Sequence, residues 1–147
     1  MNNFPHACCE IGLKLILKNK QGKILILKTS KDSSLKGFYD LPGGRIIKKE
    51  IELPFIKTLQ REIREEIGPD VFYKINETPV AISRHEKLDK EKVLCIFFEG
   101  KFKKGKIVLS DEHIGYDWVR ITKTNYKKYF IKGTREAMTH YLTGKLQ

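Results

Sequence analysis

The segment Pro54 to Ile67 constrains the fold most, because its apolar side chains recur at helical spacing. They form one stripe along a helix of roughly four turns, and the members of the stripe are Ile56, Leu59, Ile63 and Ile67. Pro54 suits the first helical turn, and Gly68-Pro69 is a strong stop signal. The chain is therefore predicted to carry a central amphipathic helix whose apolar face is buried against other elements.

Strand patterns lie on both sides of this helix. Before it, Glu10 to Lys18 alternates, and Lys23 to Thr29 carries a continuous apolar run that is typical of a strand buried on both faces. Further strands are predicted at Val71 to Ser83, Lys92 to Phe102, Ile107 to Leu109 and Tyr116 to Val119. Thr122 and Thr134 are predicted to cap two helices near the end of the chain. Strands around one central helix, followed by helices, predict an α/β or α+β sandwich.

Length and cysteine content favour one intracellular domain. The 147 residues fit a single domain, 1–147, with one core. No stretch approaches the roughly 20 consecutive apolar residues that cross a bilayer, and the N-terminal residues lack the pattern of a signal peptide. The three cysteines are an odd number, and Cys8 and Cys9 are adjacent, which makes a poor disulfide framework. We therefore expect a cytoplasmic protein with no membrane partner.

The net charge of +11 raises the question of nucleic-acid binding. The lysines are scattered along the chain, and the densest run, Lys101 to Lys106, lies where a hairpin turn is expected. A scattered excess of lysine indicates a compositional bias rather than one basic stripe. We therefore do not expect nucleic acid as the partner, although a positive field would help to attract a polyphosphate substrate.

The second face of the central helix carries a cluster of carboxylates. Glu62, Glu65 and Glu66 lie at positions i, i+3 and i+4, so their side chains converge on one side, with Arg61 and Arg64 beside them. Like charges at this spacing repel each other, and crowded carboxylates raise one another's pKa unless a cation neutralises them. A hard divalent ion such as Mg²⁺ takes oxygen ligands and bridges carboxylates to substrate phosphates. The alternative is an ordinary solvated acidic helix face.

The neighbourhood of the cluster resembles the Nudix box. Gly44 to Glu50, followed by Arg61 to Gly68, is similar to the family pattern of Gly, five residues, Glu, seven residues, then Arg-Glu-aliphatic-x-Glu-Glu-x-Gly-aliphatic. Two departures stand out. Ten residues instead of seven separate Glu50 from Arg61, and Pro69 stands at the final aliphatic position. The resemblance implies a Nudix-type sandwich with a mixed β-sheet between helices, and a Mg²⁺-dependent hydrolase that cleaves phosphoanhydride bonds.

The resemblance also implies roles for the residues of the box. Glu65 and Glu66 are similar to the primary metal ligands, and Glu62 to a further ligand or the general base. The carbonyl of Gly44 is similar to a backbone metal ligand. Arg61 is similar to the residue that orients the glutamates, so the implied catalytic set is Arg61, Glu62 and Glu65. The implied cofactor is Mg²⁺, with Mn²⁺ as a substitute.

Several residues beyond Arg61 and the three glutamates are open to more than one interpretation. The three-residue insertion leaves open whether Glu50 or Glu52 supports Arg61. Many members take a further carboxylate from a later loop, where Asp111 and Glu112 stand here, and Glu112 is our candidate for the metal site. Arg45 and Gly43 are candidates for contact with a substrate phosphate; Arg45 is equally typical of a surface arginine. We assign no role to His85, and we expect Cys95 to be buried and inert.

The expected reaction is water attack on a nucleoside diphosphate linked to another moiety. A nucleoside triphosphate, with oxidised ones included, is the favoured substrate because the chain is short. ADP-ribose, nucleotide sugars and dinucleoside polyphosphates remain open as substrates. A different class of function is a catalytically silent, basic Nudix-like module that binds nucleotide or RNA; a binder has no need of the repulsive glutamate cluster. A homodimer is also open, because dimers are common in the family.

Overall fold

The computed structural model describes residues 4–146, and within them the chain forms one seven-stranded sheet flanked by helices. The strands are β1 (Glu10–Lys18), β2 (Ile24–Lys28), β3 (Tyr39–Asp40), β4 (Gly43–Arg45), β5 (Val71–Glu86), β6 (Lys92–Gly105) and β7 (Gly115–Val119). The helices are α1 (Phe55–Ile67), α2 (Tyr126–Tyr129) and α3 (Lys132–Thr143). The predicted sandwich of a mixed sheet and helices is confirmed.

The sheet is mixed because its central pair differs from the others. Its hydrogen-bonded path runs β3-β2-β1-β6-β5, with β4 paired to β1 and β7 paired to β2. Strands β1 and β6 pair in parallel along the whole of β1, whereas the remaining pairs are antiparallel. This arrangement places β1 in the middle, where its side chains face a layer of helix on either side.

The core has two halves, one on each face of the sheet. On one face, Leu13, Leu15 and Leu17 of β1 pack with Leu59, Ile63 and Ile67, which are the predicted apolar stripe of α1. On the other face, Ile16 and strand residues from β2 and β6 pack against Phe130 and Met138 beside α2 and within α3. The alternation in β1 thus separates the two halves of the core. Helix α1 packs its apolar stripe on β1, and its carboxylates lie on another face of the helix.

Several boundaries differ from those predicted. Helix α1 begins at Phe55, with Pro54 as its N-cap residue. The run of lysines at 101–106 is not a hairpin turn, because β6 continues through it to Gly105 and pairs with the start of β5. The turn between β5 and β6 lies instead at Lys87 to Glu91, where the Lys87 amide donates to the Glu91 carbonyl at 2.9 Å.

The predicted strand at 107–109 is wrong. The segment after β6 runs past the end of α1, where the Val108 amide donates to the Ile67 carbonyl at 3.0 Å and the Ser110 amide to the Glu66 carbonyl at 3.1 Å. Its apolar pattern therefore reflects packing against the helix end, whose last carbonyls lack partners within the helix.

The two predicted caps are also wrong. Asn125 stands at the N-cap of α2, and Ile131 at that of α3, so Thr134 lies inside the first turn of α3 and is buried.

Two expectations concern membrane spans and the N-terminal residues. No helix in residues 4–146 is long and apolar enough to span a bilayer. The prediction about the N-terminal residues falls partly on residues 1–3, which lie outside the described part of the chain.

Candidate active site

The three glutamates of α1 line one cleft of about 770 Å³. They differ in depth: Glu66 is 4% exposed, whereas the side chains of Glu62 and Glu65 are 14% and 58% exposed. Glycines 43 and 44 and residues 112 and 113 line the same cleft. The helix therefore presents its carboxylates as a series that runs from the protein interior to the surface.

Glu66, the innermost carboxylate, is held by the backbone of the glycine pair. The Gly43 amide donates to Glu66 Oε2 at 2.7 Å. Burial raises the pKa of Glu66 from its usual 4.5 to about 8, against the opposing influence of the Lys14 ammonium. A carboxylate that is this unfavourable to ionise in the free protein is one that a cation would stabilise.

Both glycines are required by close approaches. A Cβ on Gly43 would lie 2.0 Å from the Leu13 carbonyl oxygen, and the residue has a φ of +140°. A Cβ on Gly44 would lie 2.2 Å from Glu62 Oε2. The pair thus lets the chain pass directly between β1 and the carboxylates of α1. Burial also raises the pKa of Glu62, although Arg61 opposes the shift.

Arg61 connects the glutamates to a buried carboxylate before the helix. Its Nε and Nη2 donate to the two carboxylate oxygens of Glu50, each at 2.7 Å. Its Nη1 lies 2.8 Å from Glu62 Oε1 and 3.0 Å from Glu65 Oε2. Hydrogen bonding from Arg61 lowers the pKa of Glu50 from 4.5 to about 2. Glu50, and not Glu52, is therefore the support of Arg61.

The three-residue insertion is absorbed between these two partners. A short 3₁₀ helix at Lys48–Glu50 turns the Glu50 side chain inward, and the following residues 51–53 form an exposed turn before α1. Glu52 lies in this turn and is exposed. The extra length is thus placed at the surface, and the Glu50–Arg61 contact is preserved.

A further carboxylate reaches the cleft from the segment before β7. Glu66, Glu112 and His113 each offer a ligand atom, and these atoms lie within 4.8 Å of one another. Asp111 is exposed and is not among the residues that line the cleft. Of the two candidates, Glu112 is thus the one that approaches the α1 carboxylates.

His113 and two polar pairs that line the same cleft were not predicted from the sequence. The Nδ1 atom of His113 is buried and has no hydrogen-bond partner within residues 4–146, and burial lowers the pKa of its ring. Lys14 and Asp40 form an ion pair at 2.8 Å in the same cleft, and Ser34 and His85 share a hydrogen bond of 2.9 Å there. The available signal was Lys14, a charged residue in the middle of β1 between the buried residues Leu13 and Leu15.

The two candidate phosphate contacts lie at the cleft but already have partners. Arg45 donates from Nη1 to Glu10 Oε2 at 2.8 Å, with 54% of its side chain exposed. The Gly43 amide is engaged by Glu66. Their contact with a substrate stays a prediction. Cys95 is buried, as expected, and its thiol lines the cleft with a pKa that burial raises to about 11.

Comparison with known proteins shows where this arrangement occurs. The model of the NUDIX domain family matches residues 11–141, which covers all of the box and every residue that lines the cleft except Glu10. The chain belongs to the Nudix family. The predicted enzyme class, a Nudix pyrophosphohydrolase, is confirmed with it. The comparison with curated proteins found no match.

Solved structures agree with this assignment. A MutT protein from Methanosarcina mazei Go1 is 32% identical, with a TM-score of 0.60 over 75% of each chain. A NUDIX hydrolase from Nitrosomonas europaea is 15% identical, with a TM-score of 0.68 over 95% of this chain and 92% of its own. An Ap4A hydrolase from C. elegans is 20% identical, with a TM-score of 0.61 over 76% and 80%. The last two show likeness of fold alone.

Nudix hydrolases use divalent metal ions, and the donor set of this cleft fits such a group. All candidate side-chain donors except the His113 ring are carboxylates, which hard cations prefer. The raised pKa of Glu66 shows that burial disfavours its ionised form. The buried Nδ1 of His113 has no hydrogen-bond partner among the described residues. The cleft thus offers the charge and the ligand chemistry that a divalent cation requires.

Proposed function

We propose that this Nudix protein is a Mg²⁺-dependent hydrolase that cleaves a phosphoanhydride bond of a nucleoside diphosphate linked to another moiety. The observation that carries the proposal is the convergence of Glu62, Glu65, Glu66 and Glu112 on one cleft. Without a cation, the carboxylates of such a cluster repel one another. They also differ in burial, so the cleft offers both a buried ligand, Glu66, and an exposed one, Glu65. Mn²⁺ would substitute, since it prefers the same oxygen ligands.

The proposal gives separate roles to the carboxylates of the cleft and to Gly44. Glu65, Glu66 and the carbonyl of Gly44 would hold the cation, with Glu112 completing the site from its loop. When bound, Mg²⁺ would polarise the phosphorus centre, activate a water and stabilise the leaving oxygen. Glu62 is a further ligand or accepts the proton of the attacking water, and its raised pKa favours proton uptake.

Arg61 contributes as a positioning residue. Its guanidinium spans Glu50, Glu62 and Glu65 with contacts of 2.7–3.0 Å. Because Glu50 fixes it with two charge-assisted hydrogen bonds, Arg61 holds the two more exposed glutamates in place at the mouth of the cleft. Arg45 would reach a substrate phosphate by exchanging its partner Glu10.

The favoured substrate is a nucleoside triphosphate, and oxidised nucleoside triphosphates are included in this class. Its support is the cleft of about 770 Å³, whose volume lies in the range of pockets for one small ligand. An Ap4A hydrolase shares the fold, so dinucleoside polyphosphates belong in the same assay. ADP-ribose and nucleotide sugars complete the panel of substrates in which a diphosphate is linked to another group.

The test is a hydrolysis screen over this panel with Mg²⁺, and with EDTA in parallel. Glu65→Gln is the inactive variant, because the side chain is 58% exposed and its replacement should not disturb folding. Glu52→Gln is the matched control, since Glu52 is an exposed glutamate just before α1. We expect turnover in wild type and Glu52→Gln alone. Full activity in Glu65→Gln would overturn the proposal.

The alternative function is a silent nucleotide- or RNA-binding module. It is favoured by the exposed lysines at positions 101, 103 and 104 of β6. RNA affinity that falls steeply with salt, with no turnover on any substrate, would select it. The single domain over residues 1–147, the cytoplasmic location and the homodimer stay predictions. Light scattering after size-exclusion chromatography tests the homodimer.

A further inference from the structure

One residue that lines the carboxylate cleft, Lys14, has all of its N–H donors engaged. Lys14 Nζ lies 2.8 Å from Asp40 Oδ2, 3.2 Å from the Leu41 carbonyl oxygen and 3.5 Å from the Gly43 carbonyl oxygen. Its side chain and that of Asp40 are 16% and 15% exposed. An ammonium has three N–H donors, and three acceptors surround this one. Lys14 therefore has no donor left for a substrate phosphate, although it lines the cleft.

The three acceptors of Lys14 belong to one short segment, residues 40–43, which connects β3 to β4. Strand β1 holds this segment a second time through its backbone, because the Leu15 amide donates to the Pro42 carbonyl at 2.8 Å. The ammonium thus fastens the segment at its beginning, at its middle and at its end. A substitution of Lys14 would leave the segment attached to β1 at this level only by backbone contacts.

The same segment orients two of the α1 glutamates. Gly43 accepts from Lys14 through its carbonyl and donates its amide to Glu66 Oε2 at 2.7 Å. Gly44, the next residue, lies so close to Glu62 that a Cβ would meet its carboxylate at 2.2 Å. A shift of the segment would therefore move both the Gly43 amide that donates to Glu66 and the Gly44 backbone that packs against Glu62.

We propose that Lys14, with Asp40 as its counter-ion, is a positioning residue that sets the geometry of the cation-binding carboxylates through the segment 40–43. The inference rests on the proposed function to the extent that the cleft binds a divalent cation. Lys14 acts on Glu66 and Glu62 through the Gly43 peptide and Gly44, and it touches neither the substrate nor the reacting atoms.

The direction of the effect separates this role from a purely electrostatic one. A positive charge beside a cation site repels the cation, so removal of the charge alone would tighten cation binding. Loss of the Lys14 contacts to the segment 40–43 would weaken cation binding, because partners that orient metal ligands contribute about 10- to 100-fold to affinity. The two roles of Lys14 thus predict opposite changes in the dissociation constant.

The experiment measures Mn²⁺ binding to substrate-free protein, with free Mn²⁺ read by electron paramagnetic resonance. In Lys14→Met we expect the dissociation constant to rise about 10-fold or more. Because this variant leaves Asp40 buried and unpaired, a second variant, Lys14→Met with Asp40→Leu, removes both charges and should recover thermal stability. We expect Mn²⁺ binding to stay weak in the double variant.

The matched control is Lys18→Met, on the same strand. Its ammonium pairs with Glu99 at 3.3 Å, away from the cleft, so its Mn²⁺ affinity should equal that of wild type. Unchanged or tighter Mn²⁺ binding in both Lys14 variants would overturn the inference. Full affinity recovered together with stability in the double variant would also overturn it, since Lys14 would then only neutralise Asp40. A wild-type protein that binds no Mn²⁺ would overturn the proposed function, and this inference with it.

Discussion

Replacement of Glu50 by glutamine removes a buried charge and leaves its shape nearly intact. Glu50 is 6% exposed and accepts two hydrogen bonds of 2.7 Å from Arg61. Its pKa is about 2 in the folded protein against a usual 4.5. A difference of this size corresponds to about 3 kcal/mol in the free energy of unfolding at pH 7. The glutamine retains one acceptor oxygen, so we expect a loss of roughly 2–3 kcal/mol.

The dependence on pH identifies the charge as the cause. Because the folded pKa of Glu50 is depressed, its contribution is complete above pH 4.5 and is lost as the pH falls toward 2. The stability difference between wild type and Glu50→Gln should therefore shrink to about 1 kcal/mol at pH 3. Urea unfolding at pH 7 and pH 3 measures both values.

The control for this measurement is Glu52→Gln. Glu52 is exposed in the turn that the insertion creates, so its replacement should change stability by less than about 0.5 kcal/mol. A difference for Glu50→Gln that is the same at both pH values would refute the role of its charge. An equal loss in Glu52→Gln would refute the assignment of Glu50 as the partner of Arg61.

Three further predictions concern the cleft and a strand end. Burial holds the pKa of Glu66 at about 8, so without a cation the free energy of unfolding should fall as pH rises from 4.5 to 8. Thermal melts should accordingly show a larger stabilisation by Mg²⁺ at pH 8 than at pH 6, and an equal stabilisation would contradict this. Glu112→Gln should weaken Mn²⁺ binding more than Asp111→Asn, because Glu112 lies within 4.8 Å of the Glu66 ligand atom; titration calorimetry would contradict it if Asp111→Asn had the larger effect. Gly105→Ala places a Cβ 1.9 Å from the Asp70 carbonyl oxygen at a φ of +122°, and should cost more than about 2 kcal/mol. Gly144→Ala, with φ +72° and nothing within 4 Å, should cost only about 1 kcal/mol, and comparable losses in urea unfolding would show that the steric argument is wrong.

The elements with strong periodicity were predictable from the sequence. Helix α1 and strand β1 follow their patterns nearly to the residue, because each buries one complete face against the sheet or the helix. The segment 107–109 was not predictable, since its apolar residues pack on the end of α1 without pairing as a strand. A pattern of alternating apolar residues predicts which side chains are buried. It does not predict which hydrogen-bond partners the backbone amides of the segment have.

The site divides in the same way. The box predicted the positions of Glu62, Glu65 and Glu66, because helical spacing alone brings their side chains to one face. It did not decide between Glu50 and Glu52, since that choice depends on how the inserted residues turn before the helix. Lys14 escaped notice because its partners lie 26 to 29 residues away along the chain.

The backbone contact between Ser110 and the last turn of α1 has a consequence for how this cleft can evolve. Glu66 provides a carboxylate to the cleft and a carbonyl to the Ser110 amide, so the loop that carries Glu112 starts from a point fixed on α1 itself. The residues between Ser110 and β7 therefore set how far Glu112 reaches into the cleft. The β5–β6 hairpin lies outside this loop and lines another part of the cleft, through Ser83, His85 and Cys95. Insertion of a single residue between Ser110 and β7 would thus shift Glu112 relative to Glu66 and leave that other lining in place.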